Sequence, residues 1–273
     1  MPELPEVETT TRGLSPHLTG QRVMDFQVRN ARLRWPVAPD AAAQLTGRRI
    51  ERLHRRSKLM LMDFSGNLTA LAHLGMSGSW RICQPDVALK PHDHLVMTLE
   101  SGAQARYHDP RRFGSFELCA TDAVADHPRI ATLGPEPLTD DFDAERLYRL
   151  SRGRRAPVKA FVMDNQVVVG VGNIYATEAL FAAGIHPKRA AGQVSLKRYQ
   201  ALVVEIKAVL ARAIASGGST LRDFVNSDGQ PGYFAQTLTA YGRAGEPCVR
   251  CETALKSMVI GQRTSVWCPS CQR

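Results

Sequence analysis

Two textures of apolar and polar positions meet near residue 134. Before it, short apolar runs recur at close spacing; after it, apolar positions repeat with a helical period. Over residues 5–18, Val7, Leu14 and Leu18 share one stripe and predict a helix. Met24, Phe26 and Val28 then alternate with polar neighbours, and residues 58–64, 68–74, 94–100 and 115–119 are further β-type runs. Turn signals at Ser65-Gly66-Asn67, Ser101-Gly102 and Asp109-Pro110 part them. Short strands at this spacing predict an antiparallel sandwich or barrel with the first helix packed on it. Leu133-Gly134-Pro135-Glu136-Pro137-Leu138 reads as a rigid connector and a domain boundary. Beyond it, Ser195 is placed to cap a helix whose Leu196, Tyr199, Leu202, Val203, Ile206, Val209, Leu210 and Ala213 form one face, ended by Gly217-Gly218. Another helix is predicted over residues 173–183, with Gly184 just past its end. Residues 217–237, rich in Gly, Ser, Asp and Pro, make a long loop of the kind that carries function.

Composition narrows the class. The chain has 273 residues, 44% hydrophobic and 22% charged, enough for a globular protein of two domains. A formal charge of +9 favours a polyanionic partner. The first residues hold Glu3, Glu6 and Glu8 and no apolar signal core, and no apolar run is long enough to span a bilayer, so a cytoplasmic protein is expected. In that compartment the six cysteines point to metal rather than disulfides.

Four of them have a decisive spacing. Cys248-x2-Cys251 is followed, after sixteen residues, by Cys268-x2-Cys271. Two such knuckles bring four thiolates to one tetrahedral centre, which selects a single structural Zn2+ with no open coordination position. The spacer suits a β-hairpin, with Arg263 near its tip, either aimed by the hairpin or simply solvated. Glu252 stands where such knuckles commonly have glycine, and positive φ there costs about 1–2 kcal/mol. Cys83 and Cys119 read as ordinary buried thiols.

The opening Met1-Pro2-Glu3-Leu4-Pro5-Glu6-Val7-Glu8 admits two readings. Proline and glutamates suit the first turn of a helix. Alternatively, loss of Met1 exposes a secondary amine that attacks an aldehyde carbon to form an iminium, with Glu3 as proton partner. An α-amino group titrates near ~8, against ~10.4 for lysine, so it holds more free base at neutral pH. The helix dipole disfavours the protonated amine, and the three glutamates favour it.

Other stretches suit a nucleic acid. Val167 to Asn173 is a glycine-punctuated turn into a helix, either a phosphate site or a plain cap behind a buried loop. Arg152, Arg154, Arg155 and Lys159 form one basic run, and Arg48, Arg49, Arg55, Arg56 and Lys58 another; such runs are ordinarily solvated faces. Lys58 opens an apolar strand that would hold it in place. The turns His73-Leu74-Gly75-Met76-Ser77-Gly78 and Asp109-Pro110-Arg111-Arg112-Phe113-Gly114 carry a methionine, an arginine and a phenylalanine, which serve as core residues or as wedges for a base stack.

Together these strings, with M-D-N-Q-V-V-V-G-V-G-N-I-Y at 163–175 and S-D-G-Q-P-G-Y-F-A at 227–235, closely resemble the bacterial formamidopyrimidine-DNA glycosylase family over residues 2–273. The resemblance implies an α+β multidomain protein. It has an N-terminal β-sandwich with a catalytic N-terminal helix (residues 1–134), a helix-two-turn-helix domain (135–238) with a lesion loop at 217–237, and a four-cysteine zinc finger (239–273). It implies base excision followed by β,δ-elimination on double-stranded DNA holding oxidised purines, opposite cytosine, by a monomer. By position, Pro2 resembles the attacking amine, Glu3 the acid that assists sugar opening, and Lys58 and Arg263 the groups serving β- and δ-elimination. His92, Arg111, Arg154 and Asn173 are similar to DNA-holding residues, and Met76, Arg111 and Phe113 to the set that fills the space of the flipped nucleotide. Rival readings are the sister endonuclease VIII branch, which takes oxidised pyrimidines, and a DNA binder without chemistry. The full P-E-L-P-E-V-E opening argues for the purine branch, and the Pro2-Glu3 pair with Lys58 against the binder.

Overall fold

The computed structural model describes residues 2–218 and 237–273. Of the predicted lesion loop at 217–237, only its first two residues and its last lie among the described residues; the 227–235 string lies outside them. Among the described residues the chain divides into two compact units, one of residues 2–131 with 216–218 and the other of residues 132–215 with 237–273.

The first unit opens with α1 (Leu4–Leu18). Pro5 sits in its first turn, where no N–H is needed, and the Glu6 carboxylate accepts from the Glu3 N–H at 2.8 Å in a capping box. Leu4, Val7, Leu14 and Leu18 are buried. Two four-stranded antiparallel sheets follow. One holds β1 (Val23–Val28), β6 (Asp93–Leu99), β7 (Gln104–His108) and β5 (Ser79–Cys83) in that order; the other holds β2 (Ile50–Arg56), β3 (Leu59–Phe64), β4 (Leu68–His73) and β8 (Ser115–Cys119). A short helix, α2 (Ala41–Leu45), links β1 to β2. The sandwich core contains Phe26, Phe64, Trp80, Tyr107 and Phe116, with Phe26 and Phe116 stacked at 5.4 Å between centroids.

Several local expectations change. Met24 is 53% exposed, because a bulge between Val23 and Asp25 removes it from the inward alternation. Lys58 does not open β3; it lies with Ser57 in the two-residue turn between the paired Arg56 and Leu59. Strands β2, β5 and β7 carry no strict alternation and escaped the pattern reading. Cys83 and Cys119 are half-buried rather than buried.

The second unit contains α3 (Ala144–Ser151), α4 (Val158–Val162), α5 (Asn173–Ala182), α6 (Leu196–Ala215) and a hairpin of β9 (Lys256–Ile260) and β10 (Arg263–Trp267). Helix α6 buries its expected face, apart from a half-buried Leu196. Helix α5 is buried nearly all round, as suits an apolar helix at the centre of a domain, and Gly184 follows it at φ 67°. Among the described residues no helix is long and apolar enough to cross a membrane.

Candidate active site and metal centre

In the first unit Pro2 is buried, directly before the N-cap of α1. Glu3 is that N-cap and is 4% exposed. The helix is tied to the Lys58 turn through one arginine. Arg55 Nε donates to Glu8 Oε2 at 2.8 Å, and Arg55 Nη1 donates to the Ser57 carbonyl at 2.9 Å. Burial alone would raise the Glu8 carboxyl, but hydrogen bonds and charge from Arg55 and Arg12 prevail and hold it below the usual range. Ser57 takes φ 58°, the left-handed conformation that this tight turn requires.

Two loops at one end of the sandwich carry Met76, Arg111 and Phe113. Met76 is half-buried, Phe113 is 42% exposed, and the Arg111 guanidinium lies 4.9 Å from the Phe113 ring centroid. His92 is exposed, its ring 5.8 Å from that of His108. His73, at the end of β4, accepts from the Gly75 N–H on Nδ1 at 2.9 Å. Burial first, then the charges of Arg129, Lys58 and Arg34, push its pKa down to about 4. It is therefore neutral, with its proton on Nε2.

In the second unit Arg154 is exposed, and its Nε donates to the Leu150 carbonyl at 3.1 Å. Asn173 opens α5 after Gly172, and its Nδ2 donates to the Thr264 carbonyl at 3.2 Å, next to Arg263 at the start of β10. Asn173 is thus tied to the strand that Arg263 begins.

Lys159 is the correction to the basic run at 152–159. It is 1% exposed, and its Nζ donates to Asn173 Oδ1 at 2.6 Å and Ser265 Oγ at 2.7 Å. The ammonium therefore bridges the start of α5 to the hairpin. A cavity of about 210 Å3 is lined by Lys159, Ala160, Met163, Ile260, Gly261 and Arg263. Glu178 was also missed. Its carboxylate accepts from the backbone N–H groups of Thr239, Ala240 and Tyr241 and from the Thr239 hydroxyl, at 2.6–2.9 Å. The flanking apolar residues at helical spacing, Val158, Phe161 and Val162, were the available signal for Lys159; Glu178 had a similar one in the apolar run of α5.

The four cysteine sulfurs lie within 4.8 Å of one another, with contacts of 3.4, 3.5 and 4.0 Å. A tetrahedron of sulfurs about 2.3 Å from zinc has edges near 3.8 Å, so the donor set fits one Zn2+. Glu252 takes φ 61°, as expected for its place in the knuckle, and its N–H donates to the Cys248 carbonyl at 2.9 Å.

Three family models match the chain. They are the formamidopyrimidine-DNA glycosylase N-terminal domain at residues 1–116, the H2TH domain of the same glycosylase at 133–225, and the zinc finger found in FPG and IleRS at 245–273. Formamidopyrimidine-DNA glycosylases of Pseudomonas putida and Hahella chejuensis are 57% and 55% identical over 273 residues, covering each chain in full. Among solved structures, Lactococcus lactis Fpg bound to DNA with an abasic site has a TM-score of 0.93 at 32% identity. MutM in complex with DNA containing carbocyclic 8-oxo-G has 0.92 at 33%, and both cover all of either chain. The sandwich with its leading helix, the H2TH helices and the zinc-bearing hairpin are the fold of those proteins, and this chain belongs to the formamidopyrimidine-DNA glycosylase family.

Proposed function

We propose that the chain is a bifunctional DNA glycosylase and abasic-site lyase that removes formamidopyrimidines and 8-oxoguanine from duplex DNA, preferring cytosine opposite the lesion. The observation that carries this is Pro2, next to the buried cap residue Glu3 at the start of α1, in a chain of this family.

After Met1 is removed, the Pro2 nitrogen attacks C1′ of the damaged nucleotide. The glycosidic bond breaks, the base leaves with its electron pair, and Glu3 moves a proton to the opening sugar. The resulting iminium withdraws electrons from C2′. Loss of a C2′ proton expels the 3′ phosphate, with Lys58 at that phosphate. A second elimination expels the 5′ phosphate, with Arg263 serving it. His92, Arg154 and Asn173 hold the backbone, and Met76, Arg111 and Phe113 occupy the space that the flipped nucleotide leaves. The organisation is three-part: 1–134 catalytic, 135–238 DNA-holding, 239–273 zinc finger. One chain supplies every role, so the enzyme works as a monomer, in the bacterial cytoplasm.

Borohydride trapping tests this. Incubation with 8-oxoguanine duplex and reductant is expected to join the protein covalently to DNA, with the sugar on Pro2 by peptide mapping. An adduct on another residue, or none with active protein, overturns the assignment.

A further inference from the structure

We propose that Asp109 is the positioning residue that welds the Met76 loop and the Arg111–Phe113 loop into one preformed plug. The proposal rests on the reading above, in which those three side chains fill the space of the extruded nucleotide.

Asp109 is 0% exposed, and its carboxylate is held by a hydroxyl, an amide and a phenol. Ser77 Oγ donates to Oδ1 at 2.6 Å, the Gly114 N–H donates to Oδ2 at 2.8 Å, and the Tyr107 hydroxyl donates to Oδ2 at 3.2 Å. Ser77 belongs to the first loop and Gly114 ends the second, so one carboxylate grips both. The link is doubled, because Ser77 Oγ also accepts from the Arg111 N–H at 3.3 Å. The Asp109 backbone extends it: its N–H donates to the His92 carbonyl at 3.0 Å, and its carbonyl accepts from His94 Nε2 at 2.8 Å.

Buried charge of this kind persists only when its acceptors are filled, and here the surroundings are shaped to fill them. A Cβ on Gly114 would lie 1.7 Å from the Tyr107 hydroxyl, and one on Gly78 2.3 Å from it. A Cβ on Gly75, itself at φ 67°, would lie 2.4 Å from the Gly114 nitrogen. The loops therefore touch backbone to backbone around the Tyr107–Asp109 pair. Burial and the Asp109 charge raise the Tyr107 phenol well above its ordinary range, so it remains a donor. Neither loop can shift alone. The plug is rigid before DNA arrives, and ordering it adds no cost at the moment the lesion leaves the stack.

That role is separable from chemistry by choice of substrate. An 8-oxoguanine must be displaced from the stack, whereas a preformed abasic site has no base to displace. Ser77→Ala and Asp109→Asn are expected to slow single-turnover excision of 8-oxoguanine by about tenfold to a hundredfold, the scale of one charge-assisted hydrogen bond. Strand cleavage at the preformed abasic site is expected to stay within about threefold. Ser77→Ala leaves the buried carboxylate in place and guards against simple misfolding of Asp109→Asn. Combined with the triple change Met76→Ala, Arg111→Ala and Phe113→Ala, either change should add little to the loss from the triple change alone, because it acts through those side chains. Equal loss on both substrates, or no loss on 8-oxoguanine, overturns the positioning role. If Met76→Ala itself leaves excision intact, the void-filling reading fails; if it slows excision while Ser77→Ala and Asp109→Asn do not, only the weld fails.

Discussion

Replacing Lys159 with methionine isolates the bridge between α5 and the zinc hairpin. The ammonium donates to Asn173 Oδ1 at 2.6 Å, Ser265 Oγ at 2.7 Å and the Thr264 carbonyl at 3.4 Å. Each hydrogen bond to a charged group is worth about 1.5–3 kcal/mol, and methionine offsets part of their loss by removing the desolvation cost of a buried charge. Two of the acceptors keep partners. Thr264 still accepts from Asn173 Nδ2 at 3.2 Å, and the Ser265 hydroxyl donates to the Arg263 carbonyl at 3.4 Å. Asn173 Oδ1 and Ser265 Oγ both lose their close donor, Ser265 keeping the bond in which it donates, so the expected destabilisation is about 2–3 kcal/mol. Urea denaturation followed by far-UV circular dichroism, with zinc present, measures it. Without Lys159 the Asn173 amide is anchored by the Thr264 bond and no longer from its Oδ1 side, and DNA affinity by fluorescence anisotropy is expected to fall about tenfold, equivalent to ~1.4 kcal/mol. Lys159→Arg should not restore it, since a planar guanidinium cannot replace a point donor between these acceptors. A stability change under about 0.5 kcal/mol would refute the energetics, since that is the scale of an ordinary surface substitution. Lower stability with unchanged affinity would show that Asn173 needs no bridge.

Protein that keeps Met1 should bind lesion duplex but neither trap nor cleave it; normal turnover by material shown by mass spectrometry to retain Met1 would refute the amine mechanism. Chelation should release one Zn2+ per chain and abolish tight DNA binding while the sandwich remains folded, with zinc read by a colorimetric chelator and folding by near-UV dichroism. Because the Glu8 carboxyl is held below its unfolded value, its stabilisation is present above about pH 4.3 and is lost as pH falls through the folded pKa. Glu8→Gln should therefore flatten the acid limb of the stability–pH curve, and an unchanged limb would remove the Arg55 lock from the account. Binding should weaken with salt at a log–log slope of roughly −5 to −7, for about five to eight neutralised phosphates; a slope near −1 would leave too few contacts for an extended interface.

What could be read from the chain, and what could not, follows from how each residue works. The four cysteines were legible because metal coordination demands one residue type at fixed spacing, and the structure gathers them within 4.8 Å. Helix α6 was legible because one face is buried along its length. Strand β7 was not: Arg106 is 1% exposed, and its guanidinium donates to Gln104 Oε1 at 2.7 Å within the same strand. Two polar residues that satisfy each other look like solvent-facing positions to any pattern of hydrophobicity. Lys159 hid for the same reason over a longer range, since its partner Ser265 is 106 residues away. Asp109 stands in a turn beside an arginine and a phenylalanine, where a carboxylate reads as a turn signal. The residues that face a partner announce themselves by type and spacing, while those that aim them depend on contacts distant in sequence. A buried charge whose partners lie on other elements is therefore where the structure adds most to the sequence, and Lys159, Glu178 and Asp109 all have that character.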